Sequence, residues 1–315
     1  MREQSATSSP FYSAVRHEPL ALPVFELAAL RAGVHDRALL TACAEWGAFY
    51  VCAPTRDVAR REAVLQASRR FFALPEATKL TLHNAGNYRG YIPLQEHTWE
   101  SIEFGLDRAH GPVDAQYLFH NPSRWPSDVA LPGWRRVVED YIALMHERCR
   151  HILHALVRGL GHGHSHSLAH LSGTLRLLSY RGLEERGRAM ELAPHTDSGF
   201  LTAILQDEVG GLQLRWRGDQ WRDVPPIPDT WVCLVGDMLS LLSDRRLRAP
   251  IHRTVVQTKH PRSALAYFAE PSSGQRIKPL SASEDGALSV CYGDYLEQKI
   301  ARQFAGQYDR VSRSG

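Results

Sequence analysis

His195 and Asp197 stand two residues apart, with Thr196 between them. On an extended strand, residues i and i+2 point to one face, so the pair would present a neutral imidazole beside a carboxylate. With one more distant histidine they would form the facial set of two histidines and one carboxylate that suits non-haem Fe(II). Three protein ligands leave the remaining positions of an octahedral ion open for O2 and a chelating cosubstrate. The triplet alone is a weak signal. With 16 His and 16 Asp in 315 residues, this spacing arises about once by chance, and a surface histidine beside a solvated carboxylate reads the same.

The elements that must position such a pair change in character along the chain. Residues 1–20 are a loose arm rich in Ser, Thr and Pro. Asp36 is placed to cap a helix whose apolar residues Leu39, Leu40, Cys43 and Trp46 recur at helical spacing, with Gly47 ending it and a β-like run, Phe49 to Cys52, following. A second helix is expected over 57–74, closed by Pro75, and the longest amphipathic helix over 132–160. Residues 83–126, rich in Gly, Pro, Asn and aromatics, read as covering loops. After residue 172 come short β-like segments at 174–180, 199–206, 212–216, 231–236, 251–257 and 264–269. Helices followed by many short strands predict a mixed, mainly β protein, an antiparallel barrel or sandwich braced by helices.

Composition narrows the function classes. A net charge of +3, with no basic stripe interleaved with aromatics, argues against nucleic acid as a partner. Arg supplies 33 of the 37 basic residues, which reads as coding bias. The five cysteines are odd in number, widely spaced and without a CxxC pair, as suits reduced thiols. Met1 to Pro10 has no apolar core of a signal peptide, and no apolar run approaches the ~20 residues of a membrane span. The expected location is the cytoplasm. A His-rich stretch at His162, His164, His166 and His170 is expected to be a solvated loop.

A longer pattern surrounds the triplet. His195-Thr196-Asp197-Ser198-Gly199-Phe200-Leu201-Thr202 is followed by Gln206-Asp207, Gly210-Gly211-Leu212-Gln213, Gly236-Asp237-Met238-Leu239, His252-Arg253, Arg262, Phe268 and Pro271. Upstream stand Trp46-Gly47-Ala48-Phe49-Tyr50, Phe71-Phe72-Ala73-Leu74-Pro75, Arg89-Gly90-Tyr91 and Trp125-Pro126. This resembles the isopenicillin N synthase-like, 2-oxoglutarate/Fe(II)-dependent dioxygenases over most of residues 22–271. The resemblance implies a double-stranded β-helix (jelly roll) with an N-terminal helical support region. Its core would be residues 172–275, the support 21–171, and the C-terminal tail 276–315.

The resemblance also implies roles. His195, Asp197 and His252 match the iron ligands, with Fe(II), 2-oxoglutarate and O2 as cofactor and cosubstrates. Arg262, ten residues after His252, matches the arginine that pairs with the far carboxylate of 2-oxoglutarate, and Tyr180 a tyrosine that reaches the cosubstrate. Arg89, Tyr91, Phe104 and Tyr295 fall where the family lines its substrate pocket. Two positions depart from the pattern: Ala264 stands where a Ser usually follows the arginine by two, and Leu178 where an Asn often precedes the tyrosine by two. The expected activity is oxidation of a small organic substrate by hydroxylation, desaturation or cyclisation, in specialised or amino-acid metabolism. The alternatives are a same-fold oxidase that uses no 2-oxoglutarate and a catalytically silent ligand-binding jelly roll.

Overall fold

The computed structural model describes residues 19–84, 89–95, 98–106, 122–162, 168, 170–182, 190–256, 259–281 and 289–303. Strands β1 (Val24–Glu26), β2 (Ala48–Cys52), β3 (Gly90–Gln95), β4 (Trp99–Gly105), β5 (Leu171–Tyr180), β7 (Leu201–Gln206), β10 (Thr230–Val235) and β12 (Arg262–Pro271) form one eight-stranded sheet, in the order β1-β2-β10-β7-β12-β5-β4-β3. Strands β6 (Met190–His195), β11 (His252–Val256), β8 (Leu212–Trp216) and β9 (Gln220–Val224) form a second, and β13 (Arg276–Ile277) pairs with β14 (Val290–Cys291). The first strand pair is parallel and the other pairs in the two larger sheets are antiparallel.

Alternation along the strands divides the core in two. Leu175, Leu177, Ala203, Leu205, Leu265 and Tyr267 face a large cluster shared with the helices. Leu178, Tyr180, Ile204, Ala264 and Ala266 face a smaller one shared with Leu212, Leu214 and Val224 of the second sheet. The helical side is organised by α5 (Trp134–Gly159), whose buried Val138, Tyr141, Met145, Cys149, Ile152 and Leu156 recur every three or four residues. Helices α1 (Leu27–Arg31), α2 (Asp36–Glu45) and α3 (Thr55–Phe72) pack on α5, and α4 (Glu76–Leu80) follows Pro75. Asp57 of α3, fully buried, receives both Nε and Nη2 of Arg148 of α5, at 2.9 and 3.0 Å. Helices α6 (Asp237–Leu242) and α7 (Tyr292–Gln303) lie elsewhere in the chain order.

Three expectations are corrected. Asp36 makes no capping bond; it opens α2 and instead takes a two-point ion pair from Arg158, at 2.6 and 2.8 Å. Residues 90–95 and 99–105 are strands of the large sheet and not covering loops: Ile102 and Phe104 alternate with Ser101 and Glu103, a period-2 pattern masked by its polar partners. Residues 85–88, 96–97 and 107–121 lie outside the described residues, as do His164 and His166. The His195–Asp197 triplet straddles the end of β6, so Asp197 lies just past the strand. No helix among the described residues is long and apolar enough to cross a membrane.

Candidate metal and cosubstrate site

The turn after β6 brings Asp197 against the first residue of β11, since His252 pairs in register with His195. The Nε2 atoms of His195 and His252 lie 3.8 and 3.7 Å from Asp197 Oδ1, beyond hydrogen-bond length, and one ligand atom from each residue falls within 4.8 Å of the others. Each imidazole faces a carbonyl two residues earlier: His195 Nδ1 lies 2.8 Å from Ala193 O, and His252 Nδ1 lies 3.3 Å from Pro250 O. A carbonyl only accepts, so Nδ1 carries the proton and the Nε2 lone pair is turned into the shared space. Burial, then the charges of His252 and Arg176, push the His195 pKa down to about 4 against the pull of Asp197. The ring is therefore neutral, the form that binds a metal. Burial opposes the Asp197 carboxylate, but His252, His195 and a hydrogen bond from the Thr202 side chain outweigh it and hold its pKa below the usual value. Asp197 Oδ2 is buried without a hydrogen-bond partner. A buried carboxylate with Oδ1 facing two imidazole nitrogens and Oδ2 unpartnered fits a cation, and the nitrogen and oxygen donor set fits Fe(II).

The turn is braced from two sides. Asp237 N–H donates to Asp197 O at 2.8 Å, and Met238 N–H to Gly199 O at 3.0 Å. A Cβ on Gly236 would come 2.1 Å from Gly199 O, so only glycine permits this approach. From α7, Lys299 Nζ donates to Thr196 O and Oγ1, both at 2.9 Å, and to Asp237 Oδ2. Tyr295 donates to the same Asp237 oxygen at 2.7 Å.

Arg262 opens β12 on the inter-sheet side, 2% exposed. Its Nε donates to Gly210 O and its Nη2 to Gln206 Oε1 at 3.4 Å, while Nη1 is buried with no partner. The ring of Tyr180, its partner in register, lies 4.7 Å from its Cζ, a cation–π contact. With two of its three nitrogens engaged, Nη1 is left as the donor, and a carboxylate is the natural acceptor. The two departures from the expected pattern are neighbours: Ala264 pairs in register with Leu178, so the wall between the arginine and the metal ligands is apolar at both positions.

The four expected pocket residues separate. Tyr91 and Phe104 face the helices, Tyr91 donating to Glu100, which also takes Lys79 at 2.6 Å, and Phe104 stacking on Trp125. Their alternation turns them away from the inter-sheet space, so they pack and do not line it. Tyr295 braces the metal turn from α7. Arg89 alone reaches the inter-sheet wall, where Nη1 donates to Thr174 Oγ1 at 2.9 Å. Sequence reading missed Thr202, Lys299, Glu103, Arg176 and Glu270. For Arg176 a signal existed, the single charge of the strand Leu171–Tyr180, whereas Glu103 shares its strand with Glu100 and Ser101 and does not stand out.

Comparison with known proteins agrees with this geometry. Residues 172–271 match the 2OG-Fe(II) oxygenase superfamily, and residues 22–128 match the non-haem dioxygenase in morphine synthesis N-terminal family. The chain is 33% identical over 278 residues to gibberellin 20 oxidase 2 of Oryza sativa subsp. japonica, covering 82% of this chain and 70% of that one. It is 28% identical over 299 residues to a homoarginine-6-hydroxylase of Arabidopsis thaliana, covering 84% and 88%. Among solved structures, Neurospora crassa T7H in complex with alpha-KG and thymine superposes with a TM-score of 0.76 at 25% identity, covering 92% of this chain and 99% of that one. The jelly-roll fold is thereby shared, and the chain belongs to the 2-oxoglutarate/Fe(II)-dependent oxygenases, as a dioxygenase that takes Fe(II), 2-oxoglutarate and O2.

Proposed function

We propose that His195, Asp197 and His252 hold the Fe(II), that Arg262 receives the far carboxylate of 2-oxoglutarate over the Tyr180 ring, and that the enzyme oxidises a small organic substrate, by hydroxylation, desaturation or ring closure. One observation carries this reading. Two buried groups on the inter-sheet side, Asp197 Oδ2 and Arg262 Nη1, lack partners, and each such orphan costs roughly 1–3 kcal/mol unless a ligand satisfies it. A metal ion answers the first and a dicarboxylate the second. When bound, Fe(II) with 2-oxoglutarate and O2 supplies the oxidising power, with succinate and CO2 as by-products.

The chain's own contribution is position and dryness. The Ala193 and Pro250 carbonyls aim the imidazoles, Thr202 and the Lys299–Asp237 pair hold the carboxylate-bearing turn, and Gly210 and Gln206 set the guanidinium plane. Leu178, Ala264, Ala266, Leu212 and Leu214 give the space beside Arg262 an apolar lining, which strengthens the charge interactions there. The small-molecule substrates named for relatives, homoarginine in one and thymine in another, support a substrate of similar size here. The cysteines, all free, support a cytoplasmic location.

The test is an anaerobic Fe(II) titration of the 2-oxoglutarate-saturated protein, followed by its visible charge-transfer absorption and then by succinate release on adding O2. One Fe(II) per chain is expected. His195→Ala, Asp197→Ala and His252→Ala should each abolish binding with the circular dichroism unchanged. Turnover by a variant lacking two of the three would reject the ligand assignment.

A further inference from the structure

The inter-sheet face of the large sheet runs in rows. Thr202, Phe268 and Thr174 lie side by side in register, and the next row holds Ile204, Ala266, Arg176 and Glu103. The Thr202 side chain helps hold the Asp197 pKa down, so the first row lies near the metal ligands and the second about 7 Å further in. Arg176 sits mid-strand in β5, between β12 and β4, yet its side chain is 30% exposed. Its guanidinium is thus within reach of a dissolved ligand, and its charge is felt at His195. Arg176 donates through Nε and Nη2 to Glu103 at 2.7 and 2.5 Å, both bonds landing on Oε1, with the guanidinium over the Phe268 ring. The other Glu103 oxygen takes neither of these bonds.

Stability does not explain such a pair. Apolar residues of similar volume would serve a jelly-roll interior as well or better, because desolvating two charges offsets their attraction. The neighbouring acid is committed to structure: Glu270 takes Tyr292 on one oxygen at 2.6 Å and Thr174 on the other at 2.8 Å. Arg89, on the same face, is held on Thr174 Oγ1 with its charge set against Glu270, which leaves Glu103 and Arg176 as the charged side chains placed to meet a ligand beside the metal.

We infer that the substrate is a small zwitterion, an amino acid or a close derivative, held with its carboxylate on Arg176 and its ammonium on Glu103. This rests on the metal and cosubstrate reading above. Charge balance separates it from other occupants. The 2-oxoglutarate dianion is balanced by the metal, Asp197 and Arg262, and Glu103 balances Arg176. A substrate of single charge would bring an uncompensated charge into a space of low dielectric, where that is costly. A zwitterion brings none and exchanges one ion pair for two. A neutral heterocycle would leave the charged pair without a use.

The experiment takes the full-length Fe(II) enzyme with 2-oxoglutarate and measures succinate release stimulated by each of the twenty proteinogenic L-amino acids. The best one is then compared with its decarboxylated and deaminated analogues, and thymine and hexanoate stand as uncharged and monoanionic controls. Stimulation by one or more amino acids, lost in both analogues, is expected. Arg176→Gln and Glu103→Gln should raise the amino-acid KM about tenfold or more, with the dissociation constant of 2-oxoglutarate, read from the charge-transfer absorption, within about twofold of wild type. No amino-acid stimulation, equal stimulation by thymine or hexanoate, or an unchanged KM in both variants would overturn the inference. A wild-type protein that forms no charge-transfer absorption would instead sink the metal and cosubstrate reading.

Discussion

Replacing Ala264 with Ser restores the hydroxyl that the family pattern usually carries and tests whether Arg262 holds the cosubstrate. Ala264 is 2% exposed and pairs in register with Leu178 on one side and Gln206 on the other. Without ligand, a hydroxyl placed there has Leu178 on one side and, on the other, a Gln206 amide already engaged by Val224 and Arg262, so it is left largely unsatisfied, at a cost of roughly 1–3 kcal/mol. At ~2 °C or more per kcal/mol, that lowers the melting temperature by about 2–6 °C. With 2-oxoglutarate bound, the hydroxyl gains a carboxylate partner worth roughly 0.5–1.5 kcal/mol, so the dissociation constant should fall about two- to tenfold. Arg262→Ala removes a charge-assisted contact worth ~1.5–3 kcal/mol and should weaken binding about 10- to 150-fold. Arg262→Lys keeps the charge but not the fork that spans Gly210 and Gln206, and should fall between wild type and Ala. The assay is anaerobic 2-oxoglutarate titration of the Fe(II) protein, with thermal unfolding in parallel. The reasoning fails if Ala264→Ser loosens 2-oxoglutarate while leaving the melting temperature alone, or if Arg262→Ala changes affinity less than about threefold.

Lys299→Met should cut Fe(II) affinity about 10- to 100-fold while 2-oxoglutarate still requires Arg262; an unchanged Fe(II) titration would show that the brace on Thr196 and Asp237 is idle. The metal-free protein should lose stability as pH falls from about 6.5 to about 4 and then level off for this group. The unfolded chain takes a proton on His195 at the ordinary 6.5, while the folded one resists until about 4. His195→Gln should flatten that slope in urea unfolding, and a slope of opposite sign would contradict the assignment. Asp57→Ala should destabilise by about 3–5 kcal/mol by stranding buried Arg148, whereas Asp57→Leu with Arg148→Met should cost much less; equal losses in the two would mean packing, not charge, dominates.

The barrel was legible from the sequence wherever strands were apolar and regularly spaced. The expected segment 212–216 is β8 itself, and the others fall within two or three residues of β5, β7, β10, β11 and the middle of β12. Polar edges hid the rest. Gln220-Trp221-Arg222-Asp223 of β9 has no apolar face to read, and β3 with Pro93 looks like a loop until β4 pairs with it. The metal ligands carry their signal in residue type and spacing, so they could be found. Lys299 could not be, because its partner Asp237 is 62 residues away and a lone lysine on a helix has no distinguishing neighbourhood. Tyr91 and Phe104 misled for another reason: aromatics in the N-terminal part, where the family lines its pocket, were turned by strand alternation into the helical core.

The clasp of α7 on the metal turn also has a consequence in the order of synthesis. His195, Asp197 and His252 emerge from the ribosome well before residues 292–303, and domains fold progressively as they appear. A nascent or truncated chain thus owns all three ligands but lacks the lysine and tyrosine that steady them. Tight iron retention is thereby deferred until Tyr295 and Lys299 have been made and packed on the turn.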